Sequence, residues 1–189
     1  MLHLEHFLGK GATRLCFYHP EDTDKCVKVA MRDRNIPALQ QELEAVKHCV
    51  QYIGDYLPEY HPELIDTNLG PGLVCSIIRD DNGAPSQPLS QYVIDKTLNK
   101  DALSQLTEFS RILTNNPIPI YDFNPDNFLI QIRNGRQTLR FTDLKTYNRF
   151  KPFTYLRMER CCPAISLRIV KRRLNKLFAW IKTRMQTAE

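Results

Sequence analysis

The loop at residues 121–127 decides how the rest of the chain is interpreted, and it reads Tyr121-Asp122-Phe123-Asn124-Pro125-Asp126-Asn127. Two strand candidates follow it, 128–132 and 138–142, and the dipeptide Asn134-Gly135 between them strongly favours a hairpin turn. Asp143 stands at the exit of the second strand. The spacing therefore predicts three polar side chains, Asp122, Asn127 and Asp143, arranged around one hairpin.

A second group of polar residues lies near the start of the chain. Gly9 and Gly11 form a glycine turn between two strand candidates, where backbone N–H groups can approach an anion. Lys28 lies in the middle of the predicted strand 26–30, whose other residues are apolar. An inward-facing lysine needs a negative partner. Glu42 and Glu44, on the helix that follows, are the two candidates.

The intervening segments predict an order of elements. The helix carrying Glu42 has Asn35 as a potential cap, Pro37 just inside it and apolar residues at Leu39, Leu43, Val46 and Val50. Strand candidates at 64–65 and 73–78 flank a turn at 68–72, and the polar stretch 79–88 predicts a linker. Helical periodicity follows at 101–113 and again at 165–185. The chain thus predicts a strand-rich lobe with one helix, followed by a helical lobe with one hairpin.

This ordered series resembles the protein-kinase-like fold: glycine turn, strand lysine, helix glutamate, an Asp-x4-Asn loop, a hairpin and a final Asp. Four stretches carry a second resemblance: Leu8-Gly9-Lys10-Gly11, Cys26-Val27-Lys28-Val29, Gln40-Gln41-Glu42-Leu43 and Asn124-Pro125-Asp126-Asn127. Through them, residues 4–150 resemble the small bacterial YrbL family of PhoP regulatory network proteins. The implied fold is α+β and bilobal, with a small antiparallel β-sheet and one helix in the N-lobe and a shortened, mostly helical C-lobe.

The resemblance implies a role for each residue of the series. Gly9 and Gly11 would cover the phosphates of ATP. Lys28 would hold the α- and β-phosphates, and Glu42 would orient Lys28 through an ion pair. Asp122 would act on the attacking hydroxyl. Asn127 and Asp143 would hold Mg²⁺, and residues 78–82 would form the hinge that binds adenine.

The chain also departs from the kinase pattern. Arg14 stands where the third glycine of the turn would fall, Tyr121 replaces the usual Arg, and Asn124 replaces the usual Lys two residues after the catalytic Asp. Leu144 and Lys145 follow Asp143 in place of Phe and Gly. Only 46 residues follow Asp143, and they contain no Ala-Pro-Glu. The platform for a peptide substrate is therefore largely missing, and we expect the acceptor to be a small-molecule, sugar or lipid hydroxyl.

Composition and charge exclude several protein classes. The chain has 189 residues, of which 42% are hydrophobic, and no run of about 18 apolar residues that would predict a membrane-spanning helix. Six scattered cysteines without zinc-site spacing, and no secretion signal at the start, indicate a cytoplasmic protein. The formal net charge of +5 comes from residues 151–189, whose balance is +8 against −3 for the rest.

The basic segment 165–189 leaves three interpretations open. Its apolar stripe can pack on the helical lobe, or it can lie on an anionic membrane surface, which would place the protein peripherally at the inner membrane. Nucleic acid is the least favoured partner because no groove-reading motif is present.

Simpler interpretations also exist for the individual motifs. Gly9 and Gly11 can form a plain hairpin turn, Lys28 can be an exposed strand lysine, and Asp122 can merely shape a turn before Pro125. Asp126 is interpreted as a capping or turn residue without a catalytic role.

The sequence thus predicts three segments and two functions. An N-terminal nucleotide-binding lobe covers 1–79, a helical lobe with catalytic loop and metal-binding hairpin covers 80–150, and a basic helical segment covers 151–189. The favoured function is transfer of the γ-phosphoryl group of ATP with Mg²⁺. The alternative is a pseudokinase that acts as a regulatory binding module in a bacterial signalling or envelope-stress network.

Overall fold

The computed structural model describes residues 1–116, 118, 120–144 and 163–186. The chain divides into two compact units. The first unit comprises residues 1–48 and 58–77, and the second comprises residues 49–57 and 78–189. Lys145, one of the departures from the kinase pattern, lies outside the described residues, as do Cys161 and Cys162, two of the six cysteines.

A five-stranded antiparallel sheet forms the centre of the first unit, in the order β1-β2-β3-β5-β4. Its strands are β1 (Phe7–Lys10), β2 (Arg14–Tyr18), β3 (Lys25–Ala30), β4 (Ile65–Thr67) and β5 (Gly70–Ser76). The predicted strands are all present, with ends that move by one to three residues. β5 starts earlier than predicted because the turn after β4 needs only Asn68 and Leu69, and Gly70 adopts a positive φ of 95°.

Gly72 shows how tightly this sheet is packed. A Cβ atom placed on Gly72 would lie 2.6 Å from a methyl group of Val27 and 2.9 Å from one of Thr67. A side chain could be accommodated there only if the side chains of Val27 and Thr67 moved away. The glycine is therefore part of the packing of β5 rather than of the turn in which the sequence analysis placed it.

The two faces of this sheet bury different residues. Val27, Val29 and Val74 pack with Leu4 and Phe17 on one face. On the other face, Leu73 packs with residues of helix α1 (Ile36–Ile53), namely Leu39 and Leu43.

Helix α1 begins where the sequence predicts, but its apolar face differs in part from the predicted one. Val50, predicted to be on that face, is 52% exposed. The buried face continues from Val46 to Cys49 and Ile53 instead, because a helical face can step by three residues as well as by four. Asn35 lies in a single 3₁₀ turn before the helix, where its side-chain amide donates to the carbonyl oxygen of Thr13 at 3.2 Å.

A three-stranded antiparallel sheet organises the second unit, in the order β6-β7-β8. Its strands are β6 (Gln87–Pro88), β7 (Phe128–Arg133) and β8 (Arg136–Phe141). The turn between β7 and β8 has φ values of 51° at Asn134 and 70° at Gly135. Two successive positive φ values give the tight hairpin that the Asn-Gly dipeptide predicted.

The segment Arg79–Pro88, predicted to be a linker, is instead folded onto this hairpin. The Asp80 carboxylate accepts hydrogen bonds from Ser86 Oγ at 2.6 Å and from the backbone N–H of Ile132 at 2.8 Å. The segment also contributes β6 to the sheet. Its Gly, Pro and Asp residues therefore form a closed turn rather than a flexible connection.

Three helices complete the second unit: α2 (Leu89–Ile94), α3 (Lys100–Asn115) and α4 (Pro163–Gln186). The sequence analysis missed the short α2. Helix α3 is capped by Asn99, whose side chain accepts from the N–H of Ala102 at 2.9 Å. Phe109 of α3 packs edge-on or tilted against Tyr56, Phe128 and Phe141.

Helix α4 packs against α2 and α3 through its apolar stripe. The buried members of the stripe are Val170, Leu174, Leu177 and Ile181, together with Ser166. The first of the three interpretations of this segment, packing on the helical lobe, describes this arrangement. Among the described residues no helix combines the length and the hydropathy that a membrane span requires.

Candidate functional site

The carboxylate of Glu42 is the centre of a charged cluster in the first unit. Glu42 is 1% exposed. Its Oε1 accepts from Lys28 Nζ at 2.8 Å and from the hydroxyl of Tyr60 at 3.1 Å. Its Oε2 forms an ion pair with the guanidinium group of Arg14. Two cations and one hydroxyl thus surround a buried carboxylate, which would be very unstable without them.

The alternation of strand β3 explains why Lys28 meets α1. Cys26, Lys28 and Ala30 share one face of the sheet because successive side chains point to opposite faces, and that face is the one that α1 covers. Lys28 also lies 5.4 Å from the centroid of the Tyr60 ring. Glu44, the other candidate partner, is exposed. The structure therefore brings Lys28 together with Glu42, and the role of this pair in nucleotide binding stays a prediction.

Arg14 is the residue of this cluster that sequence reasoning missed. It was noted only as a departure from the glycine pattern, yet it is buried beside Glu42. Arg14 pairs with Ala30 and Cys16 pairs with Lys28 across β2 and β3. Arg14 therefore lies on the same sheet face as Lys28, because its cross-strand partner Ala30 is two residues from Lys28 on β3. The period-two pattern of β2 was the signal that could have found it.

Gly9 and Gly11 lie at the β1–β2 turn. Gly9 pairs with Cys16 after an irregularity in the register, and the N–H of Gly11 donates to the carbonyl oxygen of Arg14 at 2.9 Å. A Cβ atom on Gly9 would have no neighbour within 4 Å, and one on Gly11 would make an ordinary contact at 3.8 Å. The fold itself thus does not require glycine at either position, and their phosphate-binding role stays a prediction.

Asp122 and Asn127 are positioned in the second unit by a single 3₁₀ turn at Pro125–Asn127. Asn124 caps this turn, since its Oδ1 accepts from the N–H of Asp126 at 3.2 Å. The side-chain amide of Asn127 donates to the carbonyl oxygen of Asp122 at 3.2 Å. This hydrogen bond joins the two ends of the Asp-x4-Asn spacing that the sequence analysis identified as functional.

Asp143 is joined to this loop by the residue before it. The carbonyl oxygen of Asn127 accepts from the backbone N–H of Thr142 at 2.9 Å and from its hydroxyl at 3.2 Å. These bonds continue the ladder whose first pair is Phe128 with Phe141. The structure therefore places Asp143 one residue beyond a backbone contact with Asn127.

The donor set suits a hard cation. The side-chain nitrogen of Asn127 donates to the carbonyl oxygen of Asp122, so the side-chain oxygen of Asn127 points away from that bond. Asp143 supplies a half-buried carboxylate. Mg²⁺ prefers oxygen ligands and is usually held by one or two protein groups together with substrate phosphates and water. No group of three or more His, Cys, Asp or Glu in the described part of the chain could hold a metal alone. The two residues fit Mg²⁺ held jointly with a nucleotide.

Asp126 behaves as the turn residue it was interpreted to be. Its carboxylate accepts a hydrogen bond from the hydroxyl of Ser90 in α2. This bond ties the loop to the helix that the sequence analysis missed.

Three cysteines that are scattered in the sequence meet on the sheet face of Lys28. Cys26 and Cys75 pair across β3 and β5, with their sulfur atoms 3.5 Å apart. The pKa of the Cys16 thiol is lowered by a hydrogen bond from Cys26 and by the charges of Lys28 and Arg14. The pKa of Cys49, on α1, is raised by burial to about 12. The pKa of the buried Cys75 is also lowered, by its hydrogen bond with Cys26. The sheet thus contains two thiols of lowered pKa, of which Cys16 is half-buried, while the helix contains an inert thiol.

Comparisons with known proteins identify a family and a fold for this chain. Residues 1–185 match the family described as PhoP regulatory network protein YrbL. The uncharacterized proteins YrbL of Escherichia coli (strain K12) and of Shigella flexneri are each 31% identical to this chain over 129 residues. Each alignment covers 65% of this chain and 61% of the relative, so the match spans less than two thirds of the relatives' length.

Solved structures with similar folds are kinase domains. A mutant of the PknI kinase domain of Mycobacterium tuberculosis matches with a TM-score of 0.51 and 16% identity, over 77% of this chain and 60% of that one. Another kinase domain matches with a TM-score of 0.53 and 12% identity, over 80% of this chain and 52% of that one. The predicted α+β, protein-kinase-like fold is thereby confirmed. The chain belongs to the YrbL family of PhoP regulatory network proteins.

Proposed function

We propose that this chain is an ATP- and Mg²⁺-dependent phosphotransferase that acts on the hydroxyl of a small molecule, a sugar or a lipid. The observation that carries the proposal is the 2.8 Å ion pair of Lys28 with the buried Glu42, in a chain with a kinase-like fold. A lysine held in this way presents a fixed positive charge to the phosphates of a nucleotide. Positioning and charge stabilisation are the main sources of catalysis in phosphoryl transfer.

Each predicted residue has a place in this proposal. Lys28 would bind the α- and β-phosphates of ATP while Glu42 orients its side chain. The backbone at Gly9 and Gly11 would approach the phosphates closely, for which the open space around Gly9 leaves room.

The second unit would provide the groups that act on the transferred phosphoryl group. Asp122 would accept the proton of the acceptor hydroxyl as its oxygen attacks the γ-phosphorus and ADP leaves. Asn127 and Asp143 would hold Mg²⁺, which offsets the charge that develops on the phosphoryl oxygens. Residues 144–189 contain no Ala-Pro-Glu, which favours a small acceptor over a protein.

Arg14 favours a second candidate, a pseudokinase that acts as a regulatory binding module. The guanidinium group of Arg14 already neutralises one oxygen of Glu42, in the position where kinases have a glycine. If the Arg14 cation occupies the place that the phosphates need, the fold would serve binding alone. The cytoplasmic location and the membrane-surface and nucleic-acid partners of the sequence analysis stay predictions.

Thermal stabilisation by ATP, with and without Mg²⁺, distinguishes the two candidates. We expect ATP with Mg²⁺ to raise the melting temperature of the wild type, because a ligand at 100 times its Kd adds about 2.7 kcal/mol to stability. Lys28→Met should remove this shift. The variant should still fold, since Glu42 keeps Arg14 and Tyr60 as partners. Lys25→Met is the matched control, because Lys25 lies on the same strand but is exposed and paired with Asp22.

Release of ADP measured on the same proteins completes the test. A Mg²⁺-dependent shift with ADP formation, lost in Lys28→Met and kept in Lys25→Met, supports the phosphotransferase. A shift without ADP formation would support the pseudokinase. Equal shifts in all three proteins would contradict a nucleotide site at Lys28.

A further inference from the structure

A cavity of about 440 Å³ lies next to Asp122 in the second unit. Sites for small ligands commonly have volumes in the range of about 300–1,000 Å³. One wall is the loop 121–125, and the other is a face of α4 formed by Arg172, Arg173, Lys176, Leu177 and Trp180. The basic helix, which the proposed function does not use, thus lines the space beside the proposed catalytic Asp.

Arg173 fixes α4 to the loop. Its guanidinium group donates a hydrogen bond to the carbonyl oxygen of Tyr121. The same group lies 6.0 Å from the centroid of the Tyr121 ring, which is within the range of a cation–π contact. The helix is therefore held against the residue that directly precedes Asp122.

The cavity has an excess of positive charge. Its lining includes three cations, Arg172, Arg173 and Lys176, and a single carboxylate, that of Asp122. Arg172 and Lys176 are exposed and lie four residues apart, hence on one face of the helix. Arginine and lysine at this spacing are suited to bind the oxygens of a phosphate group. The half-buried Trp180 adds apolar surface beside these charges, and Leu177, which is largely buried, also lines the cavity.

We propose that this cavity binds the acceptor, and that the acceptor is a small hydroxyl compound that already carries a phosphate group. This inference rests on the proposed function, because it assumes that Asp122 acts on the acceptor hydroxyl. Arg172 and Lys176 bind the phosphate, Trp180 and Leu177 contact the carbon skeleton, and the free hydroxyl lies toward Asp122.

Binding is measured on the full chain without nucleotide, so that the result does not depend on catalysis. The probes are sn-glycerol 3-phosphate and glucose 6-phosphate, with glycerol and glucose as uncharged controls, titrated by calorimetry. The cavity variant is Arg172→Glu with Lys176→Glu. The matched variant is Lys171→Glu with Lys182→Glu, which changes the same charge on the same helix at exposed positions that do not line this cavity.

We expect the cavity variant to bind the phosphorylated probes at least about tenfold more weakly than the wild type, which corresponds to a loss of about 1.4 kcal/mol. The matched variant should bind them as the wild type does. Equal weakening in both variants would overturn the proposal, since it would show a general effect of helix charge. Failure of the wild type to bind any phosphorylated probe, soluble or in vesicles, would also overturn it.

Vesicles distinguish a free phosphate compound from a lipid headgroup. Phosphatidylglycerol presents the same glycerol phosphate chemistry, and phosphatidylcholine vesicles are the control. Sedimentation with phosphatidylglycerol alone, lost in the cavity variant and kept in the matched variant, would identify the lipid source. Binding of the soluble probes would identify the free compound.

The thermal shift by ATP and Mg²⁺ in the same variants separates this inference from the proposed function. If the phosphorylated probes bind as expected and ATP does not, the phosphate site stands and the phosphotransferase fails. If the cavity variant alone loses the ATP shift, the cations serve the nucleotide and the acceptor proposal is overturned.

Discussion

The carboxylates of Glu42 in the first unit and Asp143 in the second are positioned in different ways. Glu42 is held by side chains, because Lys28, Arg14 and Tyr60 all contact its two oxygens. Asp143 is placed by the backbone, because the residue before it makes two hydrogen bonds to the carbonyl oxygen of Asn127. The first arrangement depends on charge, and the second depends on the path of the hairpin.

This difference determines how strongly the loss of each carboxylate's charge affects the stability of the fold. Removing the charge of Glu42 leaves two largely buried cations without their counter-ion, so the fold itself is affected. Removing the charge of Asp143 leaves the ladder that positions it intact. We therefore expect Glu42 to be the more sensitive of these two carboxylates to the loss of its charge.

Glu42→Gln should have the largest effect on stability. We expect the free energy of unfolding to fall by about 3–5 kcal/mol, the usual consequence of breaking a buried ion pair from one side. Glu44→Gln, at an exposed position of the same helix, should change it by less than about 0.5 kcal/mol. Urea unfolding followed by circular dichroism measures both. Equal losses in the two variants would contradict the assignment of the cluster to Glu42.

The sequence predicted most reliably those features that local chemistry determines. Asn134 and Gly135 predicted the β7–β8 hairpin because few other residues accept two positive φ values in succession. Lys28 was correctly placed on a strand, since the apolar and β-branched residues around it favour one. Both predictions needed only a few neighbouring residues.

The features that the sequence did not predict depend on distant residues. Helix α2 has six residues and β6 has two, too few for a periodic pattern, and contacts with the hairpin stabilise them. Arg14 was interpreted as a missing glycine because its partner Glu42 is 28 residues away in the sequence. Val50 and Cys49 are equally compatible with an apolar face, and only packing decides that Cys49 is buried.

Thr142→Val should have a smaller effect than Glu42→Gln, since it removes only one of the two hydrogen bonds to the carbonyl oxygen of Asn127. We expect a loss of about 1 kcal/mol, the typical net contribution of one hydrogen bond. Thr142→Ser keeps the hydroxyl and should restore most of the stability. Urea unfolding is again the measurement. A loss as large as that of Glu42→Gln would mean that the side chain, and not the backbone ladder, positions Asp143.

The smallest expected effect is on the rate of alkylation of Cys16. This rate reports on the electrostatic environment of the first unit. Because the pKa of Cys16 is lowered, its reaction with iodoacetamide should reach half of its maximal rate at a lower pH than that of an ordinary thiol. Cys49, whose pKa is raised to about 12, should stay unmodified in the folded protein.

Lys28→Met removes a positive charge beside Cys16, which raises the pKa of the thiol, lowers the thiolate fraction near pH 7.5 and slows the reaction. The effect should be modest, because the hydrogen bond from Cys26 contributes more than the charge of Lys28. Lys25→Met should leave the rate unchanged. Lys25 precedes Lys28 by three residues on β3, so its side chain points to the opposite face of the sheet. Mass spectrometry of the labelled peptides gives the rates. If Lys28→Met left the alkylation of Cys16 unchanged, Lys28 would not direct its charge toward this face of the sheet, and the first unit would lack the fixed cation that a nucleotide site requires.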